Sequence, residues 1–413
     1  CHYFFFKPMY HNLKFINDPV YGAVKIPHEI IFDIIEHQYF QRLRRISQTG
    51  LLSLTFPGAV HTRFHHALGA MHLMFTALET LRLKGVEVSK EEEKSAMLAI
   101  LLHDIGHGPF SHALESKVMN GLHHEKISLL LMERLNEEFG GELSVAIEMF
   151  QGRYKRKFFN QLISSQLDVD RLDYLRRDSF YTGVSEGNIN TQRIISMMNV
   201  AEDELVIDAK GVQSIENFLT ARMFMYWQVY YHKTAVLCEV MLTKILSRAK
   251  ALAATGHELE VSENLRYFLY RKEEFQEPSA EDISRFTQLD DTDVYQAIKS
   301  WQHTDDFVLS FLCKAIMQRR LPKVVLSLKP FSKDCIDEKI SAANQCFNIE
   351  NGELLVDDIS RTLLPYNVEK QPIYLLEKDG SKIHLQNSEN PILLSAITQK
   401  TEKHYLIFPS DIR

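Results

Sequence analysis

The chain is 413 residues long, and its 45% apolar and 24% charged residues are typical of a globular protein with a large core. A net charge of −7 argues against strong affinity for nucleic acid or an anionic membrane. The five cysteines are scattered and give no support to a disulfide frame or a zinc ribbon. No apolar run approaches the roughly 20 residues of a membrane span. The start lacks the features of a signal peptide, so the expected location is cytoplasmic.

The predicted elements divide the chain into an N-terminal tail (1–13), a helical body (14–320) and a smaller α+β C-terminal module (321–413). The turn-rich segment 10–28 predicts a small hairpin. Ser89 and Glu92 predict a capping box at a helix start. Helices are predicted over 30–46, 64–84, 89–104, 112–119, 124–138, 142–150, 158–165, 168–178, 190–198, 213–254 and, in several pieces, 260–320.

Strand signals are concentrated after residue 320. Their pattern predicts a strand at 323–328, a short helix at 336–344, a hairpin of 373–376 with 382–385, and a strand at 404–408. A further short hairpin is predicted near 205–211, inside the helical body. The fold class is therefore mainly α, with a small α+β module at the C-terminal end.

One stretch of the helical body, 63–178, is rich in histidine and aspartate. An apolar helix ends there in His103 and Asp104, which are costly to bury unless they have a partner, and a bound cation is the simplest one. The glycines that follow let these neighbours converge on one ion at the helix end. With His66 before them and Asp170 after them, the pattern predicts a site for a divalent metal ion (Mg, Mn, Fe, Co, Ni or Zn). The alternative is ordinary surface and capping residues.

The helix that contains Asp170 carries two more polar groups on the same face. Asp170, Tyr174 and Asp178 are spaced four residues apart, so they lie on one side of the helix. A metal ligand, a phenol and a second carboxylate in a row suit the wall of a pocket for a sugar-bearing substrate. Asp168 and Asp173 lie on other faces and are expected to cap the helix or to form salt bridges.

More acid–base groups occur in the same stretch. Metal-assisted hydrolysis needs a group that orients the attacking water and an acid for the leaving oxygen, and histidine and carboxylate serve both purposes. Taken singly, each has an ordinary alternative, such as a helix cap. The candidates are His107, His112, Glu115 and His124.

Specific motifs run through most of residues 14–330. They are NDPVYG at 17–22, FQRLRRISQTG at 40–50, FPGAVHTRFHHALG at 56–69, HDIGHGPFSH at 103–112, HHEKIS at 123–128, LDVDRLDYLRRD at 167–178 and YYHK at 230–233. Together they resemble the deoxynucleoside triphosphate (dNTP) triphosphohydrolases of the HD superfamily, a group with mammalian and bacterial members. The resemblance implies an all-helical HD-domain body. The family reaction is attack of metal-bound hydroxide on the α-phosphorus of a dNTP, which releases the deoxynucleoside and intact triphosphate.

The resemblance also assigns roles to individual residues. The metal ligands it implies are His66, His103, Asp104 and Asp170. Phosphate handling and proton transfer fall to His107, His112, Glu115 and His124. The triphosphate contacts are Arg63, Arg171 and Arg222. The groups that would read the sugar 3′-hydroxyl are Gln48, Tyr174 and Asp178, with Tyr230 against the ring to favour 2′-deoxyribose. Thr49, Tyr231 and Glu115 depart from the residues of the mammalian relative.

Members of this family are oligomeric, and some bind a regulatory nucleotide, so a homo-oligomer (dimer or tetramer) is expected. The residues that would hold the regulatory nucleotide are Lys14, Asn17, Glu36, Gln41, Arg44, Arg320 and Lys323; the alternative is a structural helix face. Two other functions stay open. One is an HD phosphohydrolase that acts on another nucleotide phosphoester. The other is a nucleotide-sensing or nucleic-acid-binding protein.

Overall fold

The computed structural model describes residues 14–110, 114, 118–119, 121–271, 275, 277–387 and 395–412. The α-helices in these ranges are α1 Glu29–Glu36, α2 Gln38–Gln41, α3 Arg63–Leu83, α4 Lys90–Leu102, α5 His124–Glu138, α6 Ser144–Phe150, α7 Lys157–Ile163, α8 Val169–Thr182, α9 Thr191–Met197, α10 Val212–Met225, α11 Lys233–Ala254, α12 Glu263–Leu269, α13 Ala280–Phe286, α14 Asp291–Trp301, α15 Phe307–Met317 and α16 Lys333–Phe347. The predicted mainly-α fold class is confirmed. No helix in the described ranges is long and apolar enough to cross a membrane.

The strands are short and form separate small sheets. They are β1 Lys14–Asp18, β2 Gly22–Ile26, β3 Met198–Ala201, β4 Glu204–Asp208, β5 Lys323–Ser327, β6 Asp357–Leu363, β7 Tyr374–Leu376, β8 Lys382–His384 and β9 Thr401–Phe408. Strands β1 and β2 form the predicted N-terminal hairpin. Strand β9 lies between β5 and β6, antiparallel to both. Sequence patterns did not predict β6.

One sheet joins distant parts of the chain. Its strand order is β3-β4-β7-β8, and β7 pairs in parallel with β4, while β7 and β8 form the predicted C-terminal hairpin. The hairpin predicted near 205–211 begins earlier, at Met198. The helical body and the C-terminal segment therefore share a sheet across position 320, and the predicted domain boundary there remains a prediction.

Most helices lie where they were predicted, and two predictions were wrong. The helix expected over 30–46 ends at Glu36, because His37 is extended (φ −66°, ψ 142°) and its ring accepts the backbone N–H of Tyr39. The helix expected over 213–254 is interrupted by a π-helical turn, Tyr226–Tyr230. The side chain of His232 then caps the start of α11. Such π-turns often occur at functional sites. The helix expected at 112–119 falls mostly outside the described residues.

Close packing of helices brings the histidine-rich stretch together. The capping box of Ser89 and Glu92 starts α4 as predicted, and α4 is buried from Ser95 to Leu102. A Cβ atom on Gly69 of α3 would lie 2.0 Å from Asp173 Oδ1 of α8, so only glycine allows α3 and α8 to approach this closely. A Cβ on Gly106 would meet the backbone of α5 at 2.3 Å. Gly69 thus allows α8 to pack closely on α3, and Gly106 allows the segment after α4 to pack closely on the start of α5.

A buried charge network fixes α8 against the N-terminal hairpin. Arg177 has no exposed side-chain surface, and its guanidinium donates to Asp18 at 2.8 Å and to both oxygens of Asp173 at 3.0 Å. Buried charges are tolerated when they are paired and hydrogen-bonded in this way. The network orients Asp173, which in turn contacts His66.

Candidate active site

Three predicted metal ligands meet at the junction of α3, α4 and α8. His66 Nε2 lies 3.1 Å from Asp170 Oδ1, and His103 Nε2 lies 3.5 Å from the same oxygen. All three ligand atoms lie within 4.8 Å of one another. His66 comes from the first turn of α3, His103 from the end of α4 and Asp170 from the first turn of α8. The sequence prediction that these residues converge agrees with this geometry.

Both imidazoles are held so that Nε2 points into the cluster. His66 Nδ1 contacts Asp173 Oδ2 at 2.7 Å, and His103 Nδ1 contacts the carbonyl of Ile100 at 2.6 Å. These contacts place a proton on each Nδ1, so Nε2 is the ring nitrogen that a metal would take. Both Nε2 atoms are buried and have no hydrogen-bond partner among the described residues. Buried polar atoms without partners are rare, and the donor set fits a divalent cation.

Asp104, the fourth predicted ligand, lies between this cluster and a second one. Its Oδ1 is 3.3 Å from His103 Nε2 and 3.3 Å from His107 Nε2, while its Oδ2 lies 3.9 Å from His66 Nε2. Arg63 donates to Oδ2 at 2.5 Å. Ligand atoms of Asp104, His107 and His124 also lie within 4.8 Å of one another. Asp104 is therefore placed to serve either cluster.

Burial and neighbouring charges set the protonation of the cluster. Burial raises the pKa of Asp170, but the imidazoles of His103 and His66 outweigh it and hold that pKa far below its usual range. Burial lowers the pKa of His66, but Asp170 and Asp173 outweigh that effect and raise it to about 10. Burial, assisted by the positive charge of Arg63, holds the pKa of His107 well below its usual value. His107 is therefore neutral and stacks on His124, with ring centroids 3.9 Å apart.

A cavity of about 580 Å³ opens beside the metal cluster. Predicted substrate residues that line it are Gln48, Arg63, Arg171, Tyr174, Asp178 and Tyr230, together with the predicted metal ligand Asp170. The face of α8 that carries Asp170, Tyr174 and Asp178 forms one wall, as their spacing predicted. The volume is in the range of small-molecule sites in proteins.

The predicted phosphate-binding arginines differ in their surroundings. Arg63 contacts Asp104, and Arg171 donates to Asp168 at 2.6 Å, where Asp168 caps α8 as predicted. Arg222 does not line the cavity; it donates to the carbonyl of Pro365 at 3.1 Å. The Nε atoms of Arg63, Arg171 and Arg222 are buried and have no hydrogen-bond partner among the described residues. Each arginine therefore keeps a donor unused.

Sequence reasoning assigned no role to His61. His61 has no exposed side-chain surface, and its Nε2 lies 2.6 Å from Asp178 Oδ1. The Tyr230 hydroxyl donates to the other oxygen of Asp178 at 2.5 Å. The signal that could have found His61 is its place in the motif at 56–69. It holds the carboxylate that was predicted to read the sugar.

The remaining predicted residues lie elsewhere. His112 and Glu115 fall outside the described residues. The predicted regulatory residues are mostly on the surface: Asn17, Glu36, Arg44, Arg320 and Lys323 are exposed, while Lys14 and Gln41 are half-buried. Gln41 contacts Arg44 at 2.8 Å, and Arg44 lies over the ring of Phe64. Their assignment to a regulatory site remains a prediction.

Comparison with protein-family models identifies two regions. Residues 63–178 match the HD domain, and residues 189–267 match the HD associated region. The first match spans the cluster from Arg63 to Asp178, and the second ends within α12. The remaining C-terminal part of the chain lies outside both matches.

Individual relatives cover more of the chain. It is 33% identical to the protein YwfO of Bacillus subtilis, over 97% of this chain and 93% of that protein. It is 31% identical to a "deoxynucleoside triphosphate triphosphohydrolase SAMHD1 homolog" of Dictyostelium discoideum, over 60% of this chain but 51% of that protein. With the human deoxynucleoside triphosphate triphosphohydrolase SAMHD1 it shares 29% identity over 58% of this chain and 45% of that protein. The chain thus spans about half the length of these dNTPase relatives.

A solved structure is similar over nearly the whole chain. The phosphohydrolase from Bacteroides thetaiotaomicron is 46% identical, with a TM-score of 0.92, over 96% of this chain and 99% of that one. A protein from Aquifex aeolicus is 27% identical with a TM-score of 0.73, over 96% of both chains.

Proposed function

The chain belongs to the HD-domain family of dNTPase-like phosphohydrolases, and from that premise we propose that it hydrolyses deoxynucleoside triphosphates to the deoxynucleoside and inorganic triphosphate. The observation that carries the proposal is the pair of unpartnered Nε2 atoms, on His66 and His103, which face Asp170 on the wall of a cavity of about 580 Å³. That cavity is also lined by arginines and by polar side chains that can contact a sugar. Cleavage of a dNTP requires a metal site, side chains that bind the phosphates and a surface that binds the sugar.

The metal ligands on this proposal are His66, His103, Asp104 and Asp170. A divalent cation bound there would supply Lewis acidity and lower the pKa of a coordinated water. Asp173 and the Ile100 carbonyl fix the two rings in the tautomer that ligation needs.

The positive charge for the triphosphate comes from Arg63 and Arg171 in the cavity wall, with Arg222, which lies outside that wall, as a further proposed contact. A guanidinium forms bidentate, charge-assisted hydrogen bonds with phosphate oxygens. Arg63 and Arg171 line the cavity, and their buried Nε donors lack partners among the described residues, so a phosphate gains hydrogen bonds without breaking existing ones. Arg63 also neutralises Asp104, which reduces the repulsion between that carboxylate and the incoming phosphate.

Proton transfer falls to His107 and His124, with His112 and Glu115 as further proposed members. Burial and Arg63 depress the pKa of His107, so its ring is neutral at neutral pH, which is the protonation state that a general base needs. Its Nε2 faces Asp104 at 3.3 Å, and the imidazolium formed on protonation is stabilised by that carboxylate.

The sugar is read by Gln48, Tyr174, Asp178 and Tyr230. Asp178 accepts from both His61 and Tyr230, so its carboxylate is held in one orientation. The buried Oε1 of Gln48 has no partner among the described residues and offers an acceptor in the cavity. Rings of Tyr174 and Tyr230 meet edge to face, with centroids 6.3 Å apart, and narrow the space beside the ring of the sugar. Such packing favours 2′-deoxyribose over ribose.

The test is product identification. Purified protein is incubated with each dNTP and NTP in the presence of Mn²⁺ or Mg²⁺, and products are separated by ion-exchange chromatography. Intact triphosphate with the deoxynucleoside supports the proposal. Pyrophosphate or orthophosphate as the first product would instead indicate another phosphoester reaction. Asp170→Asn is expected to abolish turnover, and the matched control is Asp337→Asn, an exposed aspartate on α16.

The cytoplasmic location and the homo-oligomeric state remain predictions. Light scattering coupled to size-exclusion chromatography measures the second directly. A monomeric mass across the working concentration range would contradict it.

A further inference from the structure

Part of the cavity wall has no role in the proposed reaction. Helix α11 contributes Ala235, Glu239 and Leu242 to it, which are spaced by four and three residues and so share one helix face. Strand β6 contributes Arg361 from the C-terminal segment. The short helical turn Gly50–Leu54 adds the side chains of Leu51 and Leu52. This region is named the α11–β6 wall.

An ion pair is the main polar feature of the α11–β6 wall. Arg361 Nη2 donates to Glu239 Oε1 at 3.0 Å. The side chains are 28% and 37% exposed, so both are partly open to the cavity rather than buried in the core. The pair therefore presents a carboxylate acceptor and a guanidinium donor side by side.

The position of this pair is fixed by contacts between distant segments. Strand β6 pairs with β9, and the Tyr231 hydroxyl donates to the carbonyl of Thr362, next to Arg361, at 3.2 Å. The Tyr405 hydroxyl in turn donates to the carbonyl of Tyr231 at 2.8 Å. The C-terminal sheet thus holds Arg361 against α11, and the pair does not depend on a flexible loop.

The remaining part of a bound nucleotide is the base. On the proposed function, the triphosphate lies near Arg63 and Arg171, and the sugar lies against Tyr174 and Asp178. We assign the base to the α11–β6 wall, which is the part of the lining that contains the ion pair. Its apolar residues suit the faces of an aromatic ring, and its ion pair suits a polar ring edge. The position of the pair thus argues for a role in base selection.

We infer that Glu239 and Arg361 read the edge of the base and favour guanine. A carboxylate can accept two parallel hydrogen bonds, and guanine presents adjacent N1–H and N2–H₂ donors. Arginine is the usual partner of guanine O6 and N7. Adenine, cytosine and thymine do not offer this combination of adjacent donors beside an acceptor. The inference rests on the proposed function, since it assumes that a dNTP occupies the cavity.

The test compares kcat/KM for the four dNTPs in the full-length protein. We expect dGTP to be preferred, and Glu239→Gln to lower the ratio of kcat/KM for dGTP to that for dTTP by about tenfold. The amide keeps the size of the side chain but turns a donor towards the donors of guanine. Arg361→Gln is expected to change the ratio in the same direction. The matched control is Glu263→Gln, whose side chain is 84% exposed and pairs with Arg285 away from the cavity.

The outcomes separate this inference from the proposed function. Equal use of the four dNTPs by the unmodified protein, or an unchanged ratio in folded Glu239→Gln, would overturn base reading while triphosphate release leaves the proposed function standing. No triphosphate from any dNTP would overturn both. Lack of a dGTP preference in the unmodified protein would overturn the inference even if a variant does not fold.

Discussion

Replacing Asp173 tests whether a residue that orients a predicted metal ligand, His66, affects metal binding as the ligands themselves do. This carboxylate is fully buried; it contacts His66 Nδ1 at 2.7 Å and accepts from Arg177 Nε and Nη2 at 3.0 Å each. In Asp173→Asn the amide keeps the shape but not the charge. Arg177 then keeps only Asp18 as an anionic partner, at 2.8 Å. The buried positive charge is no longer balanced as before.

The expected losses of stability and of metal affinity follow from these contacts. Breaking a buried ion pair costs about 3–5 kcal/mol, and loss of a carboxylate behind a metal-binding histidine lowers metal affinity about 10–100-fold. Because the amide of the variant would still offer one acceptor oxygen, we expect the lower end of the stability range, about 3 kcal/mol. Chemical denaturation in the presence of a chelator measures the stability change without the metal.

Metal affinity is measured separately, by titrating Mn²⁺ into the folded protein. The matched control is Asp306→Asn, since Asp306 also pairs with an arginine, Arg248, but on helices away from the cluster. The control should lose stability and keep metal affinity. If folded Asp173→Asn bound Mn²⁺ as tightly as the unmodified protein, the reasoning that Asp173 orients His66 would be refuted.

Further predictions concern pH, the sugar and packing. Asp170 and Asp173 outweigh burial and raise the pKa of His66 to about 10, so a metal ion must displace a proton from His66. Metal affinity should therefore rise as the pH rises towards about 10, and calorimetry in buffers of different ionisation enthalpy should detect the released proton. Metal uptake without proton release would contradict this. His61→Asn should lower kcat/KM for dNTPs about tenfold, because Asp178 loses a partner at 2.6 Å. The loss of kcat/KM should be smaller for 3′-deoxy analogues. An equal loss for dNTPs and for these analogues would assign His61 a purely structural role. Gly69→Ala should lower the free energy of unfolding by about 1–3 kcal/mol, because the added Cβ would lie 2.0 Å from Asp173. An unchanged denaturation midpoint would refute the close packing of α3 on α8.

The convergence of histidine and aspartate side chains could be predicted from the sequence because these residues follow local rules, whereas their role as metal ligands stays a prediction. His103 and Asp104 stand at the end of an apolar helix, and the spacing of Asp170, Tyr174 and Asp178 places them on one helix face. Periodicity and glycine breaks therefore carried most of that information. The choice of His66 over its neighbour came from resemblance rather than spacing.

Long-range contacts were beyond the same reasoning. His61 and Asp178 are separated by 117 positions, and no periodic pattern links them. The helix break at His37 and the π-turn Tyr226–Tyr230 occur within segments whose apolar periodicity continues across them, so the pattern predicted unbroken helices. Strand β6 alternates between partly exposed and exposed residues along most of its length, which left little hydrophobic signal to find.

The C-terminal segment shares a sheet with the helical body, and its strand β6 is held against α11. These contacts have a consequence for how members of the family diverge in sequence. The metal cluster lies within the HD match at 63–178, whereas Arg361 and Pro365 lie beyond both matched regions. Substitutions in the C-terminal segment can therefore reshape the cavity while the predicted metal ligands stay the same. Members of this family that share the cluster but differ after residue 320 are expected to perform the same chemistry on different nucleotides.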